Sequence, residues 1–368
     1  METKCPVDAK CAAEISALLT PPSPLQLQEY FEEIISERKC HGIEVKQDGN
    51  LSKGVYGTME FKEGDLIMKD KILVGIQHVP NKLDCLVCGN CFQFIESVEY
   101  QIGRKLYLQS LGVPSCNGCD EGMGFFTFWK IDFIFKSCAE TDWESSHSLL
   151  CTGERSESVS IEALSKFIQH ATETNDIFLL AAKTISFIIL RYRKLKAAYA
   201  WKPISMGYKR RWWDCISFPD DVDRSDDTAF RMQIQIFSLE IYGNIIGMFE
   251  LNNLDLVVAS PVEDYFLYID DLPDPEKEKA EKIARQLLDA LGDGYSICCQ
   301  GTAFYPLQSC INHSCCPNAH AFKRDEDRDG QAAIVTLKPI RKGEEALLED
   351  YGFKCRCNAC LEEDPSKK

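Results

Sequence analysis

The pattern of hydrophobic and polar positions predicts short strands towards both ends of the chain and long helices between them. Residues 25–38 place apolar side chains on one face of a helix, and residues 274–291 form a charged helix that ends at a glycine turn. The same helical period recurs around 161–173, 176–200 and 228–250. Residues 158–290 are therefore expected to be mostly helical.

Short apolar runs punctuated by glycines mark the β-rich parts. Between residues 41 and 77, runs at 42–45, 54–57 and 65–68 predict a small β-meander with tight turns. After Tyr295 the chain returns to short strands and glycine turns. The two β-rich parts are expected to meet in space, because each must cover its exposed strand edges.

Composition adds an acidic surface to this picture. The chain has 368 residues, 45% of them hydrophobic and 27% charged, which is typical of a globular protein of two or three domains. Its net charge of −16 disfavours a strong direct contact with nucleic acid and suits a basic protein partner. Residues 1–20 lack a signal-peptide pattern, and the apolar stretch 177–190 is shorter than the ~20 residues of a membrane-spanning helix. We therefore expect an intracellular protein with no membrane partner.

Nineteen cysteines are present, several at the short spacings of metal ligands. Disulfides are rare inside cells, so metal binding is the physical alternative. Near the end, Cys355, Cys357 and Cys360 could surround one tetrahedral zinc ion, with Cys315 as the candidate fourth ligand. The other interpretation is that these are incidental cysteines.

A second cysteine-rich block, residues 85–151, has the spacing of a double zinc site. Its candidate ligands are Cys85, Cys88, Cys91, Cys116, Cys119, Cys138, His147 and Cys151. One ion would be bound by Cys116, Cys119, His147 and Cys151. The other would use Cys85, Cys88 and Cys138, with Cys91 as the remaining thiol nearby.

Several motifs make the chain similar to the SET-domain family. Residues 301–318 (GTAFYPLQSCINHSCCPN) resemble its central motif, and 340–345 (IRKGEE) resemble the turn that follows. Residues 351–360 (YGFKCRCNAC) resemble its post-SET zinc loop, and 52–58 (SKGVYGT) its amino-terminal G-x-G turn. Residues 138–151 are similar to the end of a MYND zinc finger. The arrangement resembles SET-and-MYND proteins, in particular the plant trithorax-related SET-domain type.

This resemblance implies an α+β fold in which a SET β-clip is split by a MYND-like zinc module and a helical insert. The implied parts are an N-terminal segment and helix (1–40), the first part of SET (41–80), the MYND-like module (85–151), the helical insert (156–290), core SET (291–350) and a post-SET zinc loop (351–362).

The resemblance also implies an activity, the transfer of a methyl group from S-adenosylmethionine to a protein lysine. Histone H3 is the expected substrate, the nucleus the expected location with the cytoplasm as a second, and two to three zinc ions the expected metals. The MYND-like module would offer a surface to a further protein partner. Tyr351 would line the lysine channel and Tyr305 would help frame it as the catalytic residues. The implied cofactor-binding residues are Lys53, Gly54, Asn244, Asn312, His313 and Phe353.

The chain departs from the family pattern at two places. Only five residues separate Glu345 from Tyr351, so the strand that carries the first channel tyrosine is expected to be missing, which would unpair the neighbouring sheet. Ile134 stands where the finger needs a zinc ligand, within an unusually aromatic stretch, 122–135. Both departures resemble altered splicing. The alternatives are therefore a catalytically impaired SET-MYND protein that acts as a zinc-dependent interaction module, and a defective product that folds poorly.

Overall fold

The computed structural model describes residues 23–47, 53–111, 136–151, 161–194, 202–204, 240–323 and 327–349. Its helices are α1 (Pro24–Arg38), α2 (Asn81–Asp84), α3 (Val98–Ser110), α4 (Lys136–Asp142), α5 (Ser148–Leu150), α6 (Ile161–Thr174), α7 (Ile177–Lys194), α8 (Glu240–Asn252), α9 (Pro261–Asp270) and α10 (Asp274–Leu291). A π-helical turn (Trp143–His147) joins α4 to α5. Short 3₁₀ helices occupy Gly292–Ser296 and Gln308–Cys310.

The strands are β1 (Ile43–Gln47), β2 (Lys53–Gly57), β3 (Leu66–Asp70), β4 (Val74–Gln77), β5 (Asn253–Val258), β6 (Cys299–Phe304), β7 (Asn312–His313), β8 (Ala319–Ala321), β9 (Ala332–Thr336) and β10 (Glu345–Leu348). Three small sheets result, with the orders β1-β2-β10-β7, β3-β9-β8 and β4-β6-β5. The expected α+β class is confirmed.

The predicted β-meander is wrong beyond its first hairpin. β1 and β2 pair antiparallel, but β2 then pairs with β10, β3 with β9, and β4 with β6. Each later partner comes from the C-terminal β-rich part, so the expectation that the two parts meet in space is confirmed. Local spacing cannot reveal such pairings, because the partners lie far apart along the chain.

The expectation of a missing strand after Glu345 is also wrong. β10 pairs antiparallel with β2 through Glu345 and Ala346, and parallel with β7 through Leu347 and Leu348. Ala346 and Leu348 are buried while Glu345 and Leu347 are half-buried, which is the alternation of a strand with one face on the core. The sheet is therefore continuous at this position, although β10 carries no tyrosine.

Helix α1 confirms the amphipathic helix predicted at 25–38. Ser23 caps its first turn in a reciprocal capping box with Gln26, and Lys39 ends it in the left-handed conformation, at a φ of 56°. Its apolar face, which includes Phe31 and Ile34, is buried in the core beneath the first sheet.

The long helical region contains a strand that the periodicity missed. α6, α7 and α10 agree with the predicted helices, whereas the part of the predicted 228–250 helix before Glu240 lies outside the described residues. β5 interrupts the region and pairs along its whole length with β6. Its apolar run is short and follows α8 directly, so sequence period alone does not separate it from a helix.

Four hydrophobic clusters lie between these elements. The first joins α1 to β1–β3 and to residues 307–311, and the second joins α6–α8 to β4 and β6. The third lies around Cys85, Phe92 and Tyr305, and the fourth packs α3 against α9 and α10. Among the described helices, none combines the length and the apolar character needed to cross a membrane.

Candidate cofactor and metal sites

Asn312 joins two segments that are distant in sequence. It begins β7 and is half-buried, and its side-chain Nδ2 donates to the main-chain oxygen of Lys53, at 2.8 Å, and to Oε1 of Glu345, at 2.7 Å. Gly54, the next residue on β2, lies beneath the same carboxylate, where an added Cβ would collide with Glu345. The structure thus brings together three predicted cofactor residues, Lys53, Gly54 and Asn312.

His313 connects this junction to a candidate metal ligand. Its Nε2 lies 3.3 Å from Sγ of Cys315, and both residues are half-buried. The parallel pairing with Leu348 holds His313 in place. The other predicted residues of this end, Tyr351, Phe353, Cys355, Cys357 and Cys360, lie outside the described residues.

Asn318 was missed as a functional residue, although it closes the motif that carries Asn312. It is buried, and its side chain joins the β10 backbone on both sides: Nδ2 donates to the oxygen of Glu345, at 2.8 Å, and Oδ1 accepts from the nitrogen of Leu347, at 2.7 Å. The signal in the sequence was the Pro-Asn pair that ends the central motif. Asn318 therefore holds β10 beside β7.

Tyr305 is buried in the third cluster, with 1% of its surface exposed. Its hydroxyl donates to the main-chain oxygen of Gly330, at 2.6 Å, and burial raises its pKa well above the usual range. The nitrogen of Gly330 in turn donates to the oxygen of Cys91. The hydroxyl of Tyr305 is therefore engaged inside the core, and its role in framing the lysine channel stays a prediction.

Asn244 and the Asn312 junction adjoin different hydrophobic clusters. It is buried on α8, whose Ile245 and Ile246 belong to the second cluster. Ile311, beside Asn312, belongs to the first. The motif match at Asn244 is weak, and its role in cofactor binding stays a prediction.

Three thiols of the cysteine-rich block come together: Cys88, Cys91 and Cys138 have their sulfur atoms within 4.8 Å of one another. Cys88 and Cys91 lie on a tight turn in which the nitrogen of Phe92 donates to the oxygen of Cys88, and Phe92 has a φ of 62°. Helix α4 supplies Cys138. We call this set the thiol triad.

Cys85 lies apart from the thiol triad, whereas the spacing of the cysteines in the sequence suggested that it joins Cys88 and Cys138, with Cys91 as the spare thiol. Its Sγ donates to the main-chain oxygen of Ile297, at 3.4 Å, and accepts from Nδ2 of Asn81, at 3.6 Å. Burial raises the pKa of Cys85 to about 12, so it is a neutral thiol near pH 7. The structure therefore places Cys91 where the sequence suggested Cys85.

The chemistry of the thiol triad fits a soft cation. A hydrogen bond with Cys88 and burial raise the pKa of Cys91, because both disfavour its thiolate. A metal ion removes that penalty, and sulfurs bound to one tetrahedral zinc ion would lie about 3.8 Å apart. That separation is compatible with the observed cluster.

The second predicted zinc site is described only in half. His147 and Cys151 are half-buried one helical turn apart, and the nitrogen of Cys151 donates to the oxygen of His147, at 2.8 Å. The ring of His147 lies 5.8 Å from that of Trp143, as centroids. Their predicted partners Cys116 and Cys119 lie outside the described residues, as does Ile134.

Comparison with known proteins identifies the family. The model of the SET domain matches residues 52–352. The chain is 52% identical to the histone-lysine N-methyltransferase ATXR2 of Arabidopsis thaliana, with 100% of each chain covered. It is 22% identical to the protein-lysine N-trimethyltransferase SMYD5 of Gallus gallus, over 84% of this chain and 83% of the relative. A SET and MYND domain-containing protein of Dictyostelium discoideum is 36% identical over 17% of this chain and 22% of its own.

The alignment with the Arabidopsis relative extends over 472 positions, which exceeds the 368 residues of this chain by 104. At least that many positions therefore stand opposite gaps in this chain, and full coverage of both sequences makes the gaps internal. The SET match includes β7, which carries Asn312, and the strands β2 and β10, to which Asn312 is bonded. The similarity to the Arabidopsis relative extends over the remaining residues. This chain belongs to the SET-domain family.

Proposed function

We propose that this chain transfers methyl groups from S-adenosylmethionine to lysine side chains of a basic protein, with histone H3 as the expected substrate. The observation that carries the proposal is the Asn312 junction, where the G-x-G-like turn and the central motif come together through direct hydrogen bonds. The names of the two full-length relatives, a histone-lysine and a protein-lysine methyltransferase, support the same chemistry.

The atoms of the junction suit the methionine end of the cofactor. Both bonds made by Nδ2 of Asn312 stay within the protein, which orients its amide oxygen as an acceptor. The carboxylate of Glu345 adds a negative charge beside it. An amide oxygen and a carboxylate are appropriate partners for an ammonium group, and Gly54 keeps the adjacent backbone accessible because it has no side chain.

When bound, S-adenosylmethionine supplies an electrophilic methyl group on a sulfonium. The chain's own contribution is alignment, because an in-line displacement gains much of its rate from the position of the reacting atoms. The substrate lysine must lose its proton, and an apolar channel favours this by lowering the lysine pKa. We assign Tyr351 to that channel and Tyr305 to its frame. The net charge of −16 would attract a basic histone tail.

We further propose that the cysteine-rich parts bind two to three zinc ions. The thiol triad would hold one ion, and its fourth position is the one at which Ile134 replaces a ligand. Cys116, Cys119, His147 and Cys151 would hold a second, and Cys315 with Cys355, Cys357 and Cys360 a third. The six-part division of the chain, a β-clip split by a MYND-like module and a helical insert, and a nuclear location belong to the same proposal.

A direct test measures transfer of labelled methyl groups from S-adenosylmethionine to nucleosomes or histone octamers by the zinc-loaded chain. Asn312→Ala should abolish transfer and weaken cofactor binding in calorimetry. Asn252→Ala, which removes a buried asparagine whose side chain donates to the main-chain oxygen of Met248 within its own helix, is the matched control and should stay active. Absence of transfer by the unaltered chain would refute the proposed activity.

The internal gaps favour a second candidate, a catalytically impaired member that acts as a zinc-dependent interaction module. The two candidates differ in turnover and share zinc binding. If the chain binds zinc without transfer, and a variant with a longer, tyrosine-bearing segment after Leu348 gains transfer, the second candidate is correct. Transfer by the unaltered chain excludes it.

A further inference from the structure

The turn that leads into Asn312 is held by a buried carboxylate. Asp70 ends β3 and has no exposed surface. Its Oδ2 accepts from the nitrogen of Leu307, at 2.7 Å, and from that of Gln308, at 2.9 Å. The chain then makes one 3₁₀ turn and reaches Asn312. The position of Asp70 therefore determines where this turn begins.

The charge of Asp70 is balanced by Arg38 on helix α1, which lies before the residues matched by the SET-domain family. Arg38, the last residue of α1, forms an ion pair with Oδ1 of Asp70, and 8% of its side chain is exposed. The match begins at residue 52, so α1 lies outside it. A buried carboxylate requires both hydrogen bonds and an opposite charge, and here main-chain nitrogens supply the first and Arg38 the second.

Helix α1 also reaches the other side of the Asn312 junction. The ring of Phe31 lies 5.8 Å from Nζ of Lys53, whose main-chain oxygen accepts from Asn312. The helix thus contacts both segments that the junction joins, one through Arg38 and Asp70 and the other through Phe31.

We propose that Arg38 is a positioning residue for the methyl-donor site and acts through Asp70 on the turn that carries Asn312. The proposal rests on the proposed function, because it assigns S-adenosylmethionine to that junction. It extends the donor site to a helix that the family match does not include. An ion pair with a purely structural role would change stability and leave the affinity of the folded protein for the donor unaltered.

The test compares Arg38→Met with Arg38→Lys in the zinc-loaded full chain. S-adenosylmethionine binding is measured by calorimetry at a temperature where both variants are folded. Arg38→Met should weaken binding about tenfold, and Arg38→Lys, which keeps the charge, should stay within about threefold of the unaltered chain. Lys202→Met is the matched control, because Lys202 packs on α1 at Tyr30, 5.6 Å from the ring centre, and forms its ion pair with Glu33 of that helix.

Hydrogen exchange gives a second readout that does not depend on the cofactor. The amides of Leu307 and Gln308 should exchange faster in Arg38→Met and at the original rate in Lys202→Met. If Arg38→Met does not fold, the double variant Arg38→Met/Asp70→Asn, which removes both charges, takes its place with the same expected results.

Donor affinity equal to that of the unaltered chain in the folded Arg38→Met or double variant overturns the proposal, as does unchanged exchange at both amides. If the unaltered chain itself binds no S-adenosylmethionine, the proposed function fails, and the assignment of Arg38 to a donor site fails with it. Faster exchange would then still show that Arg38 holds the turn, so the two failures are distinguishable.

Discussion

Replacement of Asn318 by alanine tests whether one side chain holds β10 in the sheet. The substitution removes two hydrogen bonds, from Nδ2 to the oxygen of Glu345 and from the nitrogen of Leu347 to Oδ1. Each such bond contributes about 0.5–1.5 kcal/mol, and a buried main-chain group without a partner costs about 1–3 kcal/mol. If both main-chain groups are left without a partner, the expected loss is about 2–6 kcal/mol, concentrated at β10.

Hydrogen exchange of the Leu347 amide is the sharpest assay, because that amide donates directly to the altered side chain. If it exchanges by local opening, a loss of 2 kcal/mol accelerates exchange about 30-fold, and a larger loss accelerates it further. Asn318→Asp keeps the oxygen that accepts from Leu347 but places a carboxylate oxygen against the main-chain oxygen of Glu345. The exchange rate of the Leu347 amide in this variant should therefore lie between the rates of Asn318→Ala and the unaltered chain.

The matched control is again Asn252→Ala, which deletes a buried asparagine side chain at the end of α8, just before β5, a strand of a different sheet from β10. It should leave exchange at Leu347 unaltered. An Asn318→Ala variant whose Leu347 amide exchanges within about threefold of the original rate would refute the reasoning, since the strand would then be held by its ladder bonds alone.

Three further predictions follow from single contacts. Gly301→Ala should destabilise the chain by about 1–3 kcal/mol or more, seen as a lower melting temperature, because the added methyl would collide with the main-chain oxygen of Ile76. Cys88→Ser should lower the zinc content by one ion per chain, measured by mass spectrometry of the metal, whereas Cys85→Ser should leave the zinc content unchanged. Burial lowers the pKa of Lys82 from 10.5 to about 8, so Lys82→Met should stabilise the fold below pH 8 in denaturant titrations. That gain should fade as pH rises from 8 to 10.5, where the unfolded chain also loses the proton.

Each of these predictions has an outcome that contradicts it. An unchanged melting temperature for Gly301→Ala would show that β4 and β6 can move apart. Equal zinc loss in both cysteine variants would return Cys85 to the metal site. A stability gain for Lys82→Met that is constant from pH 6 to about pH 11 would show that packing, rather than the buried charge, is responsible.

Local signals in the sequence were sufficient for some elements. Ser23 and Gln26 carry a capping box, and Gly292 stops a helix, so α1 and α10 were predictable from their ends. The central motif likewise pointed to Asn312. Lys53 and Glu345 were predicted only as parts of two separate motifs. No local rule shows that both residues bond to the side chain of Asn312.

Other features depend on tertiary packing. In the sequence, Cys88 has the same C-x2-C spacing to Cys85 as to Cys91, so either could join it at the metal site. The contact of Cys85 with Ile297 in the core decides for Cys91. β10 was missed because a family comparison anticipates a tyrosine there, while the alternation that makes the strand lies in Ala346 and Leu348. In both cases the sequence allowed two interpretations, and only the burial of the residues in the folded chain distinguishes them.

The pairing of early strands with late ones has a consequence for synthesis on the ribosome. Tyr56 on β2 pairs with Glu345, roughly 290 residues later, a delay on the order of 15–60 s at translation rates of about 5–20 residues per second. For most of that interval β2, β3 and β4 are made but lack their C-terminal partners, and their open edges can template aggregation. Folding of this chain should therefore be largely post-translational, and its yield should depend on chaperones that protect the nascent N-terminal strands.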